Sequence, residues 1–494
     1  MLDSESPTGL NAHVEAGNTG IERRSIDWIP NSERHGKVSS LGGIWFVGNV
    51  NLTSMATGVT AFTFGAGLFW TSVAAVLGIL FGTFFMAFHS AQGPHLGLPQ
   101  LVQSRAQFGF RGAAITVWVA ALINYIAYNT SDALLSGAAL QELVHLPANI
   151  GYPVVAAIST VVALYGYRWI HKVNAWLTVP MIIVMVLITV ACLSNVNMSW
   201  SLLSPTPFRL APFMSVFIIM AGYQIAWAPY VSDYSRYLPA STGILPTFNW
   251  TFWPSAISGV WVLGIGVVIG SVAPNVDPVQ ALVSATQSLG PILSWICVAG
   301  LVMGLFSVMV LNQYGGSMSM ISIVDSFRPV ESSRRIRAFT LAAMFIIVWT
   351  ASQFIGIERF NSFYSNAIVF LTYAFIPWTA INLVDYFWVR RGQYSIRELF
   401  RPTGIYGMWG WRGTTAYAVG IIAMIPFMVT TPFVGFAASR LGSVDYSILL
   451  GLPVSAVVYL ILARSLDLKA ERSIVAAEGL IANVETNDPR VSDA

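Results

Sequence analysis

The sequence predicts an all-α integral membrane protein with twelve transmembrane helices, and three observations carry that reading. Lys and Arg number 25 and Asp and Glu 22, together 10% of 494 residues, against roughly 25% in an ordinary soluble domain. The charges are spaced so that long apolar windows contain none. The positive ones gather on alternate connections between those windows. With a mean hydropathy of +0.66, a soluble globular fold is excluded, because too few charges remain to disperse its surface. A net charge of +3 with scattered basic residues shows none of the basic stripe of a nucleic-acid binder, so no nucleic-acid partner is expected.

Taken in order, residues 1–40 are polar and mixed in charge, with no apolar run before a cleavage site. They predict a cytoplasmic tail and not a signal peptide. No Asp, Glu, Lys or Arg occurs between Lys37 and Arg105, and a turn at Gly65 and Gly67 divides that window into two spans. The next charge-free windows are 112–131, 143–167, 173–208, 210–232, 237–276, 278–324, 338–357 and 360–384. Each can hold the roughly 20 apolar residues that cross a bilayer. They complete a ten-helix core over 41–400; windows 413–439 and 446–463 supply helices 11 and 12 within 413–464, and 465–494 forms a second tail. With both termini cytoplasmic, all 25 Lys and Arg except Arg209, Arg359 and Arg440 lie inside, as the retention of positive charge on that side requires. A multi-pass protein of the cell membrane is expected, working as a monomer. Cys192 and Cys297 fall in apolar runs and are expected to be inert thiols.

Two spans are built to break. The first contains Gly48-Asn49-Val50-Asn51, and the sixth contains Gly222-Tyr223-Gln224 followed by Trp227-Ala228-Pro229. Gly and Asn form helix poorly, and a helix interrupted at membrane depth must line a protein cavity. Breaks five spans apart are what two inverted five-helix repeats produce, here about 41–200 and 205–395, and they point to a transporter's binding site. Polar residues at depth give a second clue. Tyr125, Asn129 and Asp132 share one face of the third span, with Asn124 beside them, and Asn312-Gln313-Tyr314-Gly315-Gly316 interrupts the eighth. Buried amides must find partners. Four helices contributing such groups favour a ligand over simple helix pairing. Aromatic faces beside carboxamides suit a small, planar, neutral solute, stacked on its face and hydrogen-bonded at its edge.

Three sequence runs carry a resemblance. They are Ala91-Gln92-Gly93-Pro94 continuing through Gly97-Leu98-Pro99-Gln100 to Ser104-Arg105-Ala106-Gln107-Phe108-Gly109, then Ser232-Asp233-Tyr234-Ser235-Arg236-Tyr237-Leu238-Pro239, and Asp385-Tyr386-Phe387 with Val389-Arg390-Arg391-Gly392-Gln393-Tyr394. In order, they resemble the loops after helices two, six and ten in the nucleobase:cation symporter-1 family of purine, cytosine, allantoin and hydantoin permeases. The resemblance implies a leucine-transporter-like fold and cation-driven uptake of a nucleobase-like ring by alternating access. By position it implies substrate contacts at Asn51, Tyr125, Asn129, Gln224 or Trp227, and Asn312. In sodium-coupled members the ion is held by first-helix carbonyls, here Val47 and Val50, and by eighth-helix oxygens. The matching eighth-helix positions read Met303, Phe306 and Ser307, and only Ser307 offers a side-chain oxygen. That favours H+ over Na+ as the coupling ion, as in the purine-cytosine subgroup, with no other cofactor. Asp132, the carboxylate well inside a span, is the candidate to carry the proton; a helix-packing Asp is the competing reading. Glu142 and His145 read as solvated, and His89 and His95 as structural. The rivals are an integral membrane enzyme, for which the six His lack ligand spacing, and a carrier of another small neutral solute.

Overall fold

The computed structural model describes residues 27–165, 167–195, 205–273, 276–330 and 333–487. Arg23, Arg24, most of the N-terminal tail, the boundary near 200 and residues 488–494 lie outside them. The described residues are mainly helical and form no strand, with one isolated bridge between Val429 and Val434. The first charge-free window folds as α1 (Ser40–Asn49), α2 (Leu52–Phe62) and α3 (Leu68–Ser90). The turn before α3 places Gly65 and Gly67 at φ +81° and +79°, a region that glycine enters without steric cost. Then come α4 (Val119–Val144), α5 (Ala148–Tyr165), α6 (Tyr167–Asn195) and α7 (Leu210–Ile225). After a turn follow α8 (Val231–Ser235), α9 (Ile244–Val272), α10 (Pro291–Asp325), α11 (Arg334–Ile355) and α12 (Phe360–Val384). The last are α13 (Trp411–Met424), α14 (Ser447–Ala463) and α15 (Leu468–Asn487). Seven helical stretches among the described residues are long and apolar enough to cross a membrane.

The bundle is inside-out relative to a soluble protein. Ile123, Val186, Ile257, Phe354 and Ile461 are exposed on its perimeter, while Asn49, Thr57, Asn129, Asp132, Gln224 and Asn312 are buried. Apolar side chains gain nothing by leaving lipid, so helix association relies on close approach through small residues and on interhelical hydrogen bonds. A Cβ at Gly58 of α2 would fall 2.0 Å from the Leu263 carbonyl of α9, and one at Gly266 of α9 would fall 2.1 Å from the Met55 carbonyl. Those glycines let the two backbones touch.

At the Arg-rich end, Asp385 is fully buried and accepts from Arg390 Nη1 (2.5 Å), Tyr459 (2.8 Å), Tyr394 (2.7 Å) and Gln107 (2.5 Å). Arg390 also holds Glu471 of α15 through two bonds of 2.9 and 3.1 Å. The stretch read as a polar tail is therefore in part a helix, bent 85° from α14 and tied to the end of α12. Arg105 is buried between Phe110 and Trp118. Desolvation lowers its guanidinium pKa to about 10, opposed by Asp325.

Candidate functional site between the two breaks

The first-span break is stitched by its own side chains. α1 ends at Asn49, and Asn51 caps α2 in extended geometry, its Oδ1 accepting from Ser54 N at 2.9 Å while its Nδ2 donates to Gly48 O at 2.7 Å. Asn49 fastens the break to α9, donating to Ser255 O (2.9 Å) and accepting from Gln224 Nε2 (3.3 Å). In the sixth span the helix runs through Gly222-Tyr223-Gln224 and ends at Ile225, so the break lies at the Trp227-Ala228-Pro229 part of the expected stretch. Pro229 has no N–H to give the Ile225 carbonyl. Gly222 serves packing instead, since a Cβ there would meet Thr372 Oγ1 at 2.0 Å.

Between the breaks lies a small cavity lined by Asn51, Thr53, Tyr128, Asp132, Tyr223, Ala226, Trp227, Tyr230, Val308 and Asn312. Trp227 closes one side, edge-on to Trp45 (centroids 5.9 Å) and to Tyr230 (5.5 Å). Asp132 Oδ1 accepts from Thr53 Oγ1 at 2.6 Å. Asp132 Oδ2 and Asn312 Oδ1 meet no partner at hydrogen-bonding geometry among the described residues, although the two side chains interact with each other. Two buried acceptors bordering one cavity call for a donor, either a proton on the carboxyl or an N–H of a bound molecule. A second, larger cavity is walled by Tyr125, Tyr230, Tyr234, Tyr314, Asp233 and Arg236 among others. Tyr230 borders both, and its ring lies 5.1 Å from that of Tyr125.

Of the residues expected at the site, Asp132, Trp227, Asn312 and Asn51 come together, although the Asn51 amide is spent on the break. Tyr125 faces the second cavity. Two of the expected contacts, Gln224 and Asn129, are engaged by neighbouring helices in this structure. Gln224 turns away from both cavities and bonds Asn49 and, at 3.2 Å, Ser255. Asn129, with its amide oriented to satisfy both ends, bridges the Met309 carbonyl and the Gln313 N–H of α10 at 3.2 Å each. Both amides were read correctly as buried and interior, but neighbouring helices use them. Thr53, Tyr128, Tyr223 and Tyr230 were missed. Tyr128 was findable, one turn before Asp132 on the same helical face.

At the ion-site candidates, the Val47 carbonyl accepts from Val50 N at 2.9 Å. The Val50 carbonyl abuts Gly304, where a Cβ would lie 2.2 Å away. Ser307 is buried one turn further along α10, whereas Met303 points out of the bundle with 48% of its surface exposed.

The family profile for permeases of cytosine/purines, uracil, thiamine and allantoin matches residues 28–451. The chain belongs to this family. YxlA of Bacillus subtilis, which carries a purine-cytosine permease name, is 33% identical over 444 residues, covering 90% of this chain and 96% of its own. The purine-cytosine permease fcyB of Emericella nidulans is 23% identical over 482 residues, covering 92% and 90%. Among solved structures, the nucleobase-cation-symport-1 transporter Mhp1, in a closed conformation with bromovinylhydantoin bound, superposes with a TM-score of 0.73 at 19% identity, covering 92% of this chain and 99% of that one. That likeness shows a shared fold. The permease family consists of transporters, so the enzyme reading falls away.

Proposed function

We propose that the protein imports a nucleobase or related planar heterocycle across the cell membrane by proton symport and alternating access. In this reading twelve spans cross the membrane with both termini cytoplasmic, the first ten as two inverted five-helix repeats. The observation that carries it is the cavity between the two broken helices, with an indole on one side and the interacting Asp132 carboxyl and Asn312 amide on its border, where Asp132 Oδ2 and Asn312 Oδ1 lack a partner at hydrogen-bonding geometry. A planar ring stacks on Trp227 and donates an N–H to Asn312. Asp132 takes up the coupled proton with the ring and releases it on the other side. A buried carboxylate with an open oxygen is costly as an anion, so protonation and loading support each other.

Sodium is the second reading, favoured by the Val50 carbonyl lying against α10 near Ser307. Such a site is short of the several oxygens that hard cations collect. A thermal-shift panel of cytosine, uracil, hypoxanthine, adenine, allantoin and hydantoins, with and without sodium and at acidic and neutral pH, tests the proposal. One planar ring should stabilise the protein without sodium, and more at acidic pH. Stabilisation that requires sodium, or comes only from non-planar solutes, counts against it.

A further inference from the structure

We infer that a line of hydroxyls along the seam of α2, α12 and α4 conducts the coupled proton to Asp132 from the bundle end opposite the Arg-rich one. The inference rests on Asp132 being the proton carrier. Thr53, Thr57 and Thr60 stand at i, i+4 and i+7 on α2, so they share one face. Each meets a polar group on another helix. Thr53 donates to Asp132 at 2.6 Å, Thr57 Oγ1 and the Tyr364 hydroxyl lie 2.7 Å apart, and Thr60 donates to Asn361 Oδ1 at 2.9 Å. Thr53, Thr57, Thr60 and Tyr364 are all at most 2% exposed, whereas Asn361, at the start of α12, is only half-buried.

The inner end of the line is Tyr128. Its hydroxyl meets no partner at hydrogen-bonding geometry, yet it interacts with the Tyr364 hydroxyl. It also lines the cavity together with Asp132, one turn along α4. The sequence of stations is therefore Thr60, beside Asn361 at the half-buried mouth, then Thr57, Tyr364, Tyr128 and Asp132, with single waters spanning the entry and the steps that are not direct bonds. At each hop an O–H bond forms on the receiving oxygen as one breaks on the giving oxygen. The last hop converts the Asp132 carboxylate to the acid and leaves every hydroxyl as it began. The titratable groups facing Asp132 are all tyrosines: Tyr128 on its own helix, Tyr223 on α7, Tyr230 after the sixth-span break and Tyr364 on α12. None of them is charged at neutral pH.

Such hydroxyls could equally serve to hold helices together, and the two roles separate experimentally. Thr57→Val and Tyr364→Phe remove a station each while keeping most of the volume. In proteoliposomes, net uptake driven by a pH gradient requires proton entry, whereas counterflow at equal pH exchanges loaded carriers without net proton movement. Both variants should lose about tenfold or more in gradient-driven uptake, a barrier of roughly 1.4 kcal/mol, with counterflow kept within about twofold. Full gradient-driven uptake, or an equal fall in both readouts, overturns the inference. Asp132→Asn in the same assay keeps the two claims apart. If it retains gradient-driven accumulation, the proton-carrier reading fails. If it loses accumulation while the hydroxyl variants keep theirs, only the hydroxyl line fails.

Discussion

Replacing Trp227 tests the site most simply, because one side of its ring system is fixed by protein and the residue borders the small cavity. The indole meets Trp45 and Tyr230 edge-on, and a side-chain atom at Gly48 would come no nearer than 3.8 Å to it. Stacking a base on an aromatic side chain is worth about 1–3 kcal/mol by alanine substitution. Trp227→Ala should then weaken binding roughly 5- to 150-fold at about 1.4 kcal/mol per tenfold. That truncation also costs about 3–5 kcal/mol of core stability. Trp227→Phe is therefore the cleaner probe, keeping a shorter π face and losing about three- to tenfold in Kd. Trp45→Phe is the control, since Trp45 packs on Trp227 and Tyr234 without lining the cavity, and its Kd should stay within about twofold. Isothermal titration calorimetry of the purified protein, with the ring that stabilises it best, reads all three. Unchanged affinity in both Trp227 variants, or an equal loss in Trp45→Phe, would refute the stacking argument.

Further outcomes follow from the same contacts. Asn312→Ala should lower ring affinity by roughly 5- to 100-fold, the cost of leaving a donor unpaired, while the melting temperature without ligand changes little; a large fall in both would mark Asn312 as structural. Gln313 is fully buried with both amide atoms unpartnered among the described residues, so Gln313→Met should leave the melting temperature unchanged or raise it, by up to about 1–3 kcal/mol of relieved desolvation. Arg390→Ala strands Asp385 and Glu471 and should cost about 3–5 kcal/mol, seen as a lower melting temperature than that of Glu471→Ala. Gly58→Val places side-chain atoms where the Leu263 carbonyl sits and should abolish the folded monodisperse species in size-exclusion chromatography.

How much of this was legible in the sequence depended on which quantity each residue reports. Gly65 and Gly67 marked a turn, and Gly48 to Asn51 marked a break, because backbone propensity is local and glycine and asparagine disfavour helix wherever they stand. The sixth-span break falls at the Trp227-Ala228-Pro229 part of the expected stretch, while Gly222 is constrained by the Thr372 side chain on α12, a contact with no local signature. Depth was readable and direction was not. Asn129 and Gln224 were rightly read as interior amides, but the polar stripe of a helix is wide enough to face both a cavity and a neighbouring helix. Asn129 meets α10, and Gln224 meets Asn49 and α9. Asp132 stood out as a carboxylate within a span, and its Thr53 partner, two residues beyond Asn51, became visible only when the break folded. The tyrosines around it were hidden by number, since 18 occur in the chain and most helices carry one.

The central claim is that Asp132 couples the ring to a proton, and accumulation at a fixed pH gradient tests it directly. Asparagine keeps the side-chain volume and the oxygen that accepts from Thr53 at 2.6 Å, and it removes the titratable group. One coupled proton and a gradient of one pH unit supply about 1.4 kcal/mol, enough for roughly tenfold accumulation. Sodium-free proteoliposomes of the wild-type protein, acidic outside, should reach that ratio, while Asp132→Asn should bind the ring and equilibrate it to equal concentrations on both sides. Tenfold accumulation by Asp132→Asn, or none by the wild type until sodium is added, would contradict the account.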